Sequence, residues 1–195
     1  MSQVRMQLTG YILIGMARNA EQTRARILEA ATAEFSARGI AGARVDRIAD
    51  AAACNKALLY SYFGNKEQLF DAVFAALVAR LVAAHPIDAE HLDEYAAALV
   101  DSYVANPELV RLALWDRLER GGAGMRSPEL LATDAAKVAA IADAQAAGVV
   151  SDRFAADETL AVITVLTSIL PLLLDDASDA RVREVVTSAV ARLVG

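Results

Sequence analysis

Proline, glycine, histidine and cysteine are all scarce in this 195-residue chain, and each shortage excludes something. With 4 Pro and 10 Gly, the frequent tight turns of an all-β fold have nothing to be built from. A single cysteine, Cys54, excludes an internal disulfide and any multi-cysteine zinc site. The two histidines, His85 and His91, lack the i, i+4 helical spacing of a zinc motif, even with Asp88 or Asp93 added. No metal and no cofactor is expected. There is no glycine-rich phosphate loop, no G-x-S-x-G elbow and no Cys/His dyad, so an enzyme is not expected either. Long apolar runs are missing too. The longest uncharged stretch, Thr159 to Leu174, is 16 residues with Pro171 inside it, whereas a membrane span takes about 20. It reads as buried helix, and the protein as cytoplasmic with no membrane partner.

What is present is alanine, 43 residues of it, within a hydrophobic fraction of 56% of which little is aromatic. Alanine has the highest intrinsic helix propensity, so the composition predicts an all-α protein with a substantial core. Charge is divided unevenly. Residues 16–66 carry 8 Lys/Arg against 5 acids, and residues 67–195 carry 10 against 20. A basic head on an acidic body suits a polyanion-binding segment, although charge by itself also allows an uneven scatter.

Capping and breaking residues divide the chain into nine predicted helices and no strand. Asn19 with Gln22 resembles a capping box ahead of a helix carrying Ile27, Leu28, Ala31 and Phe35 and ending at Gly39. Short helices follow over Val45–Ala52 and, capped by Asn55, over Lys56–Tyr62, stopped at Gly64. Asn65 with Gln68 opens a long helix that closes before His85-Pro86. Further starts are predicted at Asp88, Asn106-Pro107 and Ser127-Pro128, with stops at Gly121 and Gly148, and two apolar helices follow near Asp157–Leu174 and Ser178–Val194. Residues 1–15 read as a disordered or artefactual extension, with Met16 as an alternative start. The uncharged stretch Met6–Ala17 also has the length of a signal-peptide core, but no small-x-small cleavage site follows it.

The segment from Gly39 to Lys66 has the dimensions of a helix-turn-helix. Leu59 and Phe63 share one face of its second helix, as Ile48 and Ala52 do on the first, and these faces suit packing on Leu28, Ala31 and Phe35. The opposite side of the second helix offers Lys56, Ala57, Tyr60 and Ser61. Small residues there let the backbone and Lys56 approach base edges, while tyrosine hydroxyls reach phosphates. Lys66, in the first turn of the next helix, is placed to hold a phosphate together with backbone N–H groups.

The runs Val45-Asp46-Arg47-Ile48-Ala49 and Lys56-Ala57-Leu58-Leu59-Tyr60-Ser61-Tyr62-Phe63-Gly64-Asn65-Lys66-Glu67-Gln68-Leu69-Phe70 resemble the DNA-binding domain of the tetracycline-repressor (TetR) family. The resemblance covers roughly Asn19–Phe70; beyond it only helix count and order agree. It implies a nine-helix TetR-like fold with a helix-turn-helix domain over 16–66 and a ligand-binding and dimerisation domain over 67–195. It also implies a DNA-binding transcriptional repressor, released when an unidentified small-molecule effector changes the spacing of the two heads of a homodimer. The operator on double-stranded DNA is then an approximate inverted repeat. The DNA-binding residues implied are Arg44, Val45, Asn55, Lys56, Ala57, Leu58, Tyr60, Ser61, Tyr62 and Lys66. Three departures from the family pattern stand out. Arg44 replaces a capping Ser or Thr, Ala53-Cys54-Asn55 replaces Gly-Val-Ser in the turn, and Leu58 replaces a small polar residue. Ala53 is strained if that position takes a positive φ.

Tyr95, Tyr103 and Trp115 read as ligand-pocket residues, with core packing as the other reading. The dimer interface is placed on the last two long helices, at Val162, Val165, Leu166, Ile169, Val186 and Val190, because a helix apolar nearly all round must be covered on several sides. Cys54 reads either as a small turn residue or as a redox sensor. The competing function is a helical protein-interaction module or antirepressor without specific DNA binding, which leaves the Lys56–Lys66 pattern unexplained.

Overall fold

The computed structural model describes residues 2–174 and 178–195, with side chains described from Arg18 onward. The described residues form ten α-helices and one 3-10 turn, without a strand. The helices are α1 (Ser2–Gly42), α2 (Val45–Ala51), α3 (Lys56–Phe63), α4 (Lys66–Ala84), α5 (Leu92–Ala105), α6 (Pro107–Arg120), α7 (Pro128–Ala146), α8 (Ala156–Ser168), α9 (Leu170–Leu173) and α10 (Asp179–Val194), with the 3-10 turn Gly124–Arg126 between α6 and α7. The chain divides into two compact units, Met1–Val73 and Phe74–Gly195.

In the first unit, α1 starts at Ser2, so Asn19 lies inside a helix and not at its beginning, and the expected disordered extension gives way to helix. Gly39 breaks the helical path where expected, with φ 71° and ψ 179°. The core is Ile27, Ala31, Phe35, Ile48, Ala52, Leu59, Phe63, Leu69, Phe70 and Val73, all buried, with Phe35 and Phe70 edge to face at 5.3 Å between centroids. Leu28, expected in this core, is only half-buried; Ile27 takes that position.

In the second unit, α10 lies along α5, and α8 packs on both and on α7. Leu92, Ala96, Val100, Ile141, Ile163, Val182, Val186 and Val190 form the buried centre. Two expected helix starts shift. α5 begins at Leu92, because the Asp88 carboxylate accepts the Glu90 N–H at 3.1 Å and contacts His91 Nδ1 at 3.1 Å, closing a turn and not capping a helix. Asn106 makes no side-chain cap for α6; its Nδ2 donates back to the Ser102 carbonyl at 3.0 Å, although Pro107 does occupy the first turn. The ten helices exceed the expected nine because the predicted helix Asp157–Leu174 is broken. Pro171 has no N–H for the Thr167 carbonyl and its ring crowds that carbonyl, so α8 stops at Ser168 and the short α9 follows. Between α6 and α7, the fully buried Asp116 carboxylate accepts the Gly124 N–H at 3.0 Å and the Met125 N–H at 3.3 Å, tying the 3-10 turn to α6.

Candidate functional site

The head is built by local hydrogen bonds that aim α3 outward. Asn55, exposed, caps α3 by accepting the Leu58 N–H at 2.8 Å. The turn before it places Ala53 at φ 50°, the left-handed conformation that glycine tolerates without strain. Gly64 closes the helix at φ 77°; a side chain there would meet Gln68 Oε1 at 2.1 Å. Asn65 then caps α4 through the Gln68 N–H at 2.8 Å.

Leu59 and Phe63 point into the head's core, which turns Lys56, Ala57, Leu58, Tyr60 and Ser61 to solvent. Leu58 and Tyr60 are 39% and 42% exposed, large values for such side chains. Tyr62 and Val45 are half-buried, and Arg44 is exposed. Lys56 is not a free cation, since its ammonium pairs with the Asp46 carboxylate of α2. Lys66 is also engaged. Its Nζ donates to the Ala41 and Ala43 carbonyls at 3.3 Å each, holding the end of α1 against the start of α4.

Arg44 occupies the N-cap of α2 without a side-chain cap bond, as the sequence implied. Glu34 of α1 takes that role. Its Oε1 accepts the Arg44 N–H at 2.9 Å and the Arg47 Nε–H at 2.8 Å, and Arg38 approaches its Oε2 at 3.6 Å. Burial opposes ionisation of this carboxyl, but the bonds from Arg47 and Arg44 outweigh it and hold the group below its usual range. Glu34 and Asp46 were absent from the sequence-derived site. Their partners lie ten residues away in each case (Arg44 and Lys56), so no helical periodicity connects them.

The second unit has a cleft of about 160 Å³ between α4 and α5 and another of about 240 Å³ between α5 and the segment 168–182. The smaller is walled by Leu77, Leu81 and Leu109 with Arg80 at its edge; the larger by Val104, Val110 and Leu172 with Asp179. Tyr103 lines both. Of the other expected pocket residues, Tyr95 is buried in the core and Trp115 is half-buried on α6, and neither lines these clefts. Burial, with the nearby Asp134 carboxylate, pushes the Tyr95 phenol up to about 12.

The expected dimer residues separate. Val165 is 56% exposed, and Val162 and Ile169 are half-buried on α8 and at its end. Leu166 packs on the unit's own core. Val186 and Val190 are fully buried against the chain itself, so that part of the expected interface is corrected: their methyls already have partners, whereas Val185 and Ala189 of α10 are half-buried and Arg192 is exposed. No helix among the described residues is long and apolar enough to cross a membrane.

A model of bacterial regulatory proteins of the tetR family matches residues 27–73, and a tetracyclin repressor-like C-terminal domain matches residues 91–192. The chain belongs to the TetR family. It is therefore a DNA-binding transcriptional regulator, from a family of regulators and not of enzymes. This TetR-family chain is 41% identical to the HTH-type transcriptional repressor SCO4008 of Streptomyces coelicolor over 153 residues, 78% of this chain and 80% of that one. It is 36% identical over 125 residues to the HTH-type transcriptional repressor NicS of Pseudomonas putida, covering 60% of this chain and 58% of that one. Among solved structures, SCO4942 of Streptomyces coelicolor, described as a transcriptional regulator, superposes with a TM-score of 0.76 at 35% identity, over 88% of this chain and 98% of that one.

Proposed function

We propose that this TetR-family regulator is a homodimeric repressor that binds an approximately inverted-repeat operator and leaves it when a small molecule occupies the second unit. The observation that carries the operator reading is the solvent face of α3, where Lys56, Ala57, Leu58, Tyr60 and Ser61 stand together on a helix capped by Asn55. In this reading α3 enters the major groove, with Lys56 and Leu58 at base edges and Tyr60, Tyr62, Ser61, Arg44 and Val45 against the backbone. Lys66 adds positive charge beside the phosphates while it braces the head.

The dimer is proposed to form through the outward faces of α8 and α10, around Val162, Val165, Ile169, Val185 and Ala189. The apolar, exposed Val165 supports that choice. A two-fold axis then repeats α3 along one face of the duplex. The relatives named as repressors support the sign of regulation. A protein of this kind works in the cytoplasm, beside the chromosome it reads.

The test is an electrophoretic shift on DNA flanking the protein's own gene, across a salt series. The expected result is a specific complex whose affinity falls steeply with salt. Equal affinity for that DNA and for random duplex overturns the operator reading.

A further inference from the structure

Most cations of the head are engaged within the protein. Arg38 and Arg47 go to Glu34, Lys56 to Asp46, Lys66 to two carbonyls, and Arg26 to the Thr23 hydroxyl at 3.3 Å. Arg24 of α1 differs. It is exposed, and among the described residues neither Glu21, three positions before it, nor any other acid or carbonyl pairs with its side chain. The side chains of Arg18 and Arg44 are unpaired in the same sense, but no contact holds them. Arg24 is held: its guanidinium carbon lies over the Phe63 ring, 5.4 Å from the centroid.

Phe63 is itself buried in the head's core, so its ring is a fixed seat. A cation over a ring is attracted by the negative π face and not by an opposite charge, so Arg24 is positioned without being neutralised. A guanidinium also carries a planar fork of N–H donors that matches phosphate oxygens.

The seat lies at one end of α3. Phe63 is the last residue of that helix, and its ring is 6.2 Å from the ring of Tyr62. A helix of two turns is about 12 Å long and the major groove is about 12 Å wide, so a group at the helix end stands close to a wall of phosphates. The stem of Arg24 rises from α1, which packs behind α3 on the side of Leu59 and Phe63. It therefore comes to the duplex from outside the groove, where phosphates and not base edges are met.

We infer that Arg24 is a further DNA-binding residue, a phosphate contact seated on Phe63 beside the C-terminal end of α3, which adds affinity and fixes the head on the duplex but reads no base. The inference rests on reading α3 as the helix that enters the major groove.

The experiment uses the full-length protein and fluorescence anisotropy on two duplexes, DNA flanking the protein's own gene and random DNA of equal length, across a salt series. Arg24→Ala should weaken both complexes by the same factor, leaving their ratio unchanged. It should also flatten the plot of log affinity against log salt by about 1 per head bound, the slope lost with one phosphate contact. Arg24→Lys keeps the charge and should keep the wild-type slope. In a Phe63→Leu background, where the seat is gone, Arg24→Ala should cost less than it does in the wild type, with melting curves confirming the fold. An Arg24→Ala protein with the wild-type slope overturns the inference even if its affinity falls, because a purely structural loss releases no fewer counterions. A changed ratio between the two duplexes overturns it too, since the residue would then be reading sequence. An Arg24→Ala effect of equal size with and without the Phe63 ring removes the seat. If the wild type shows no preference for the flanking DNA, the operator reading fails on its own. If that preference and a steep slope are present and only the Arg24→Ala result is missing, the operator reading stands and the Arg24 contact falls.

Discussion

Glu34 of α1 caps α2 through the Arg44 backbone. Its Oε1 accepts the Arg44 N–H at 2.9 Å, at a position where the N-cap residue itself makes no side-chain cap. The same oxygen holds Arg47 Nε at 2.8 Å, so one carboxylate fixes both the start and the first turn of the helix that precedes the recognition helix.

Glu34→Ala should therefore destabilise the head by about 1–2 kcal/mol, the range for losing a helix cap and a charged hydrogen bond. Urea denaturation followed by circular dichroism measures it. The carboxyl's pKa is lowered in the folded state, so its contribution is complete above the unfolded value, near 4.5, and is lost as pH falls through the lower folded value. The stability difference between wild type and Glu34→Ala should thus be constant near neutrality and shrink below about pH 4.5. A difference that grows on acidification contradicts the assignment.

Ala53→Gly should stabilise the protein. The φ of 50° at Ala53 costs a residue with a Cβ about 1 kcal/mol, and glycine removes most of that while adding some unfolded-state entropy. The net gain should be a few tenths of a kcal/mol up to about 1 kcal/mol, read as a rise in the melting temperature. Ala53→Val should lower it, since branching at Cβ worsens the same conformation.

Asp46→Asn should change DNA selectivity without changing the fold. Asp46 holds the Lys56 ammonium in the free protein and opposes phosphate by its own charge. Removing that charge should tighten binding to random duplex more than to operator, lowering the specificity ratio. Lys56→Ala should weaken operator binding and relax base preference by about 1–3 kcal/mol at one position. Anisotropy titrations on both DNAs, at two salt concentrations, decide the matter.

Lys66→Ala should weaken operator and random DNA about equally, because phosphates carry no sequence. It should also lower the stability of the head by about 0.5–1.5 kcal/mol through loss of the bonds to the Ala41 and Ala43 carbonyls. A variant of normal stability and normal affinity would sink both roles.

Val165→Glu and Val186→Glu should separate assembly from folding. Val165 is exposed on α8, so its substitution should yield a folded monomer in analytical ultracentrifugation. Val186 is fully buried against the chain's own core, so its substitution should unfold the second unit, at a cost of several kcal/mol for an unpaired buried carboxylate. A dimer unaffected by Val165→Glu places the interface elsewhere.

Much of this was legible in the sequence because it is local. Asn55, Asn65, Ser127 and Ser178 each cap a helix through a bond to the residue three positions on, and Gly39, Gly64 and Gly121 break or end helices where a Cβ is unfavourable. Such features depend on neighbours in the chain, so residue type and spacing suffice. The outward set on α3 was readable too, since burying Leu59 and Phe63 leaves only one side of a two-turn helix for Lys56, Ala57, Tyr60 and Ser61. Tertiary structure alone decided what depends on distant partners. That Glu34 caps α2, and that Lys66 reaches back to Ala41 and Ala43, follows from how the helices cross. The strings of valine and leucine in α8 and α10 carry no mark of which side meets the chain's own core and which is left over. Only packing turned Val186 and Val190 inward and Val165 outward, and put Tyr103, not Tyr95 or Trp115, in the lining of both clefts. Hydrophobicity is non-directional: it requires that an apolar face be covered, and the geometry of the neighbouring helices determines by what.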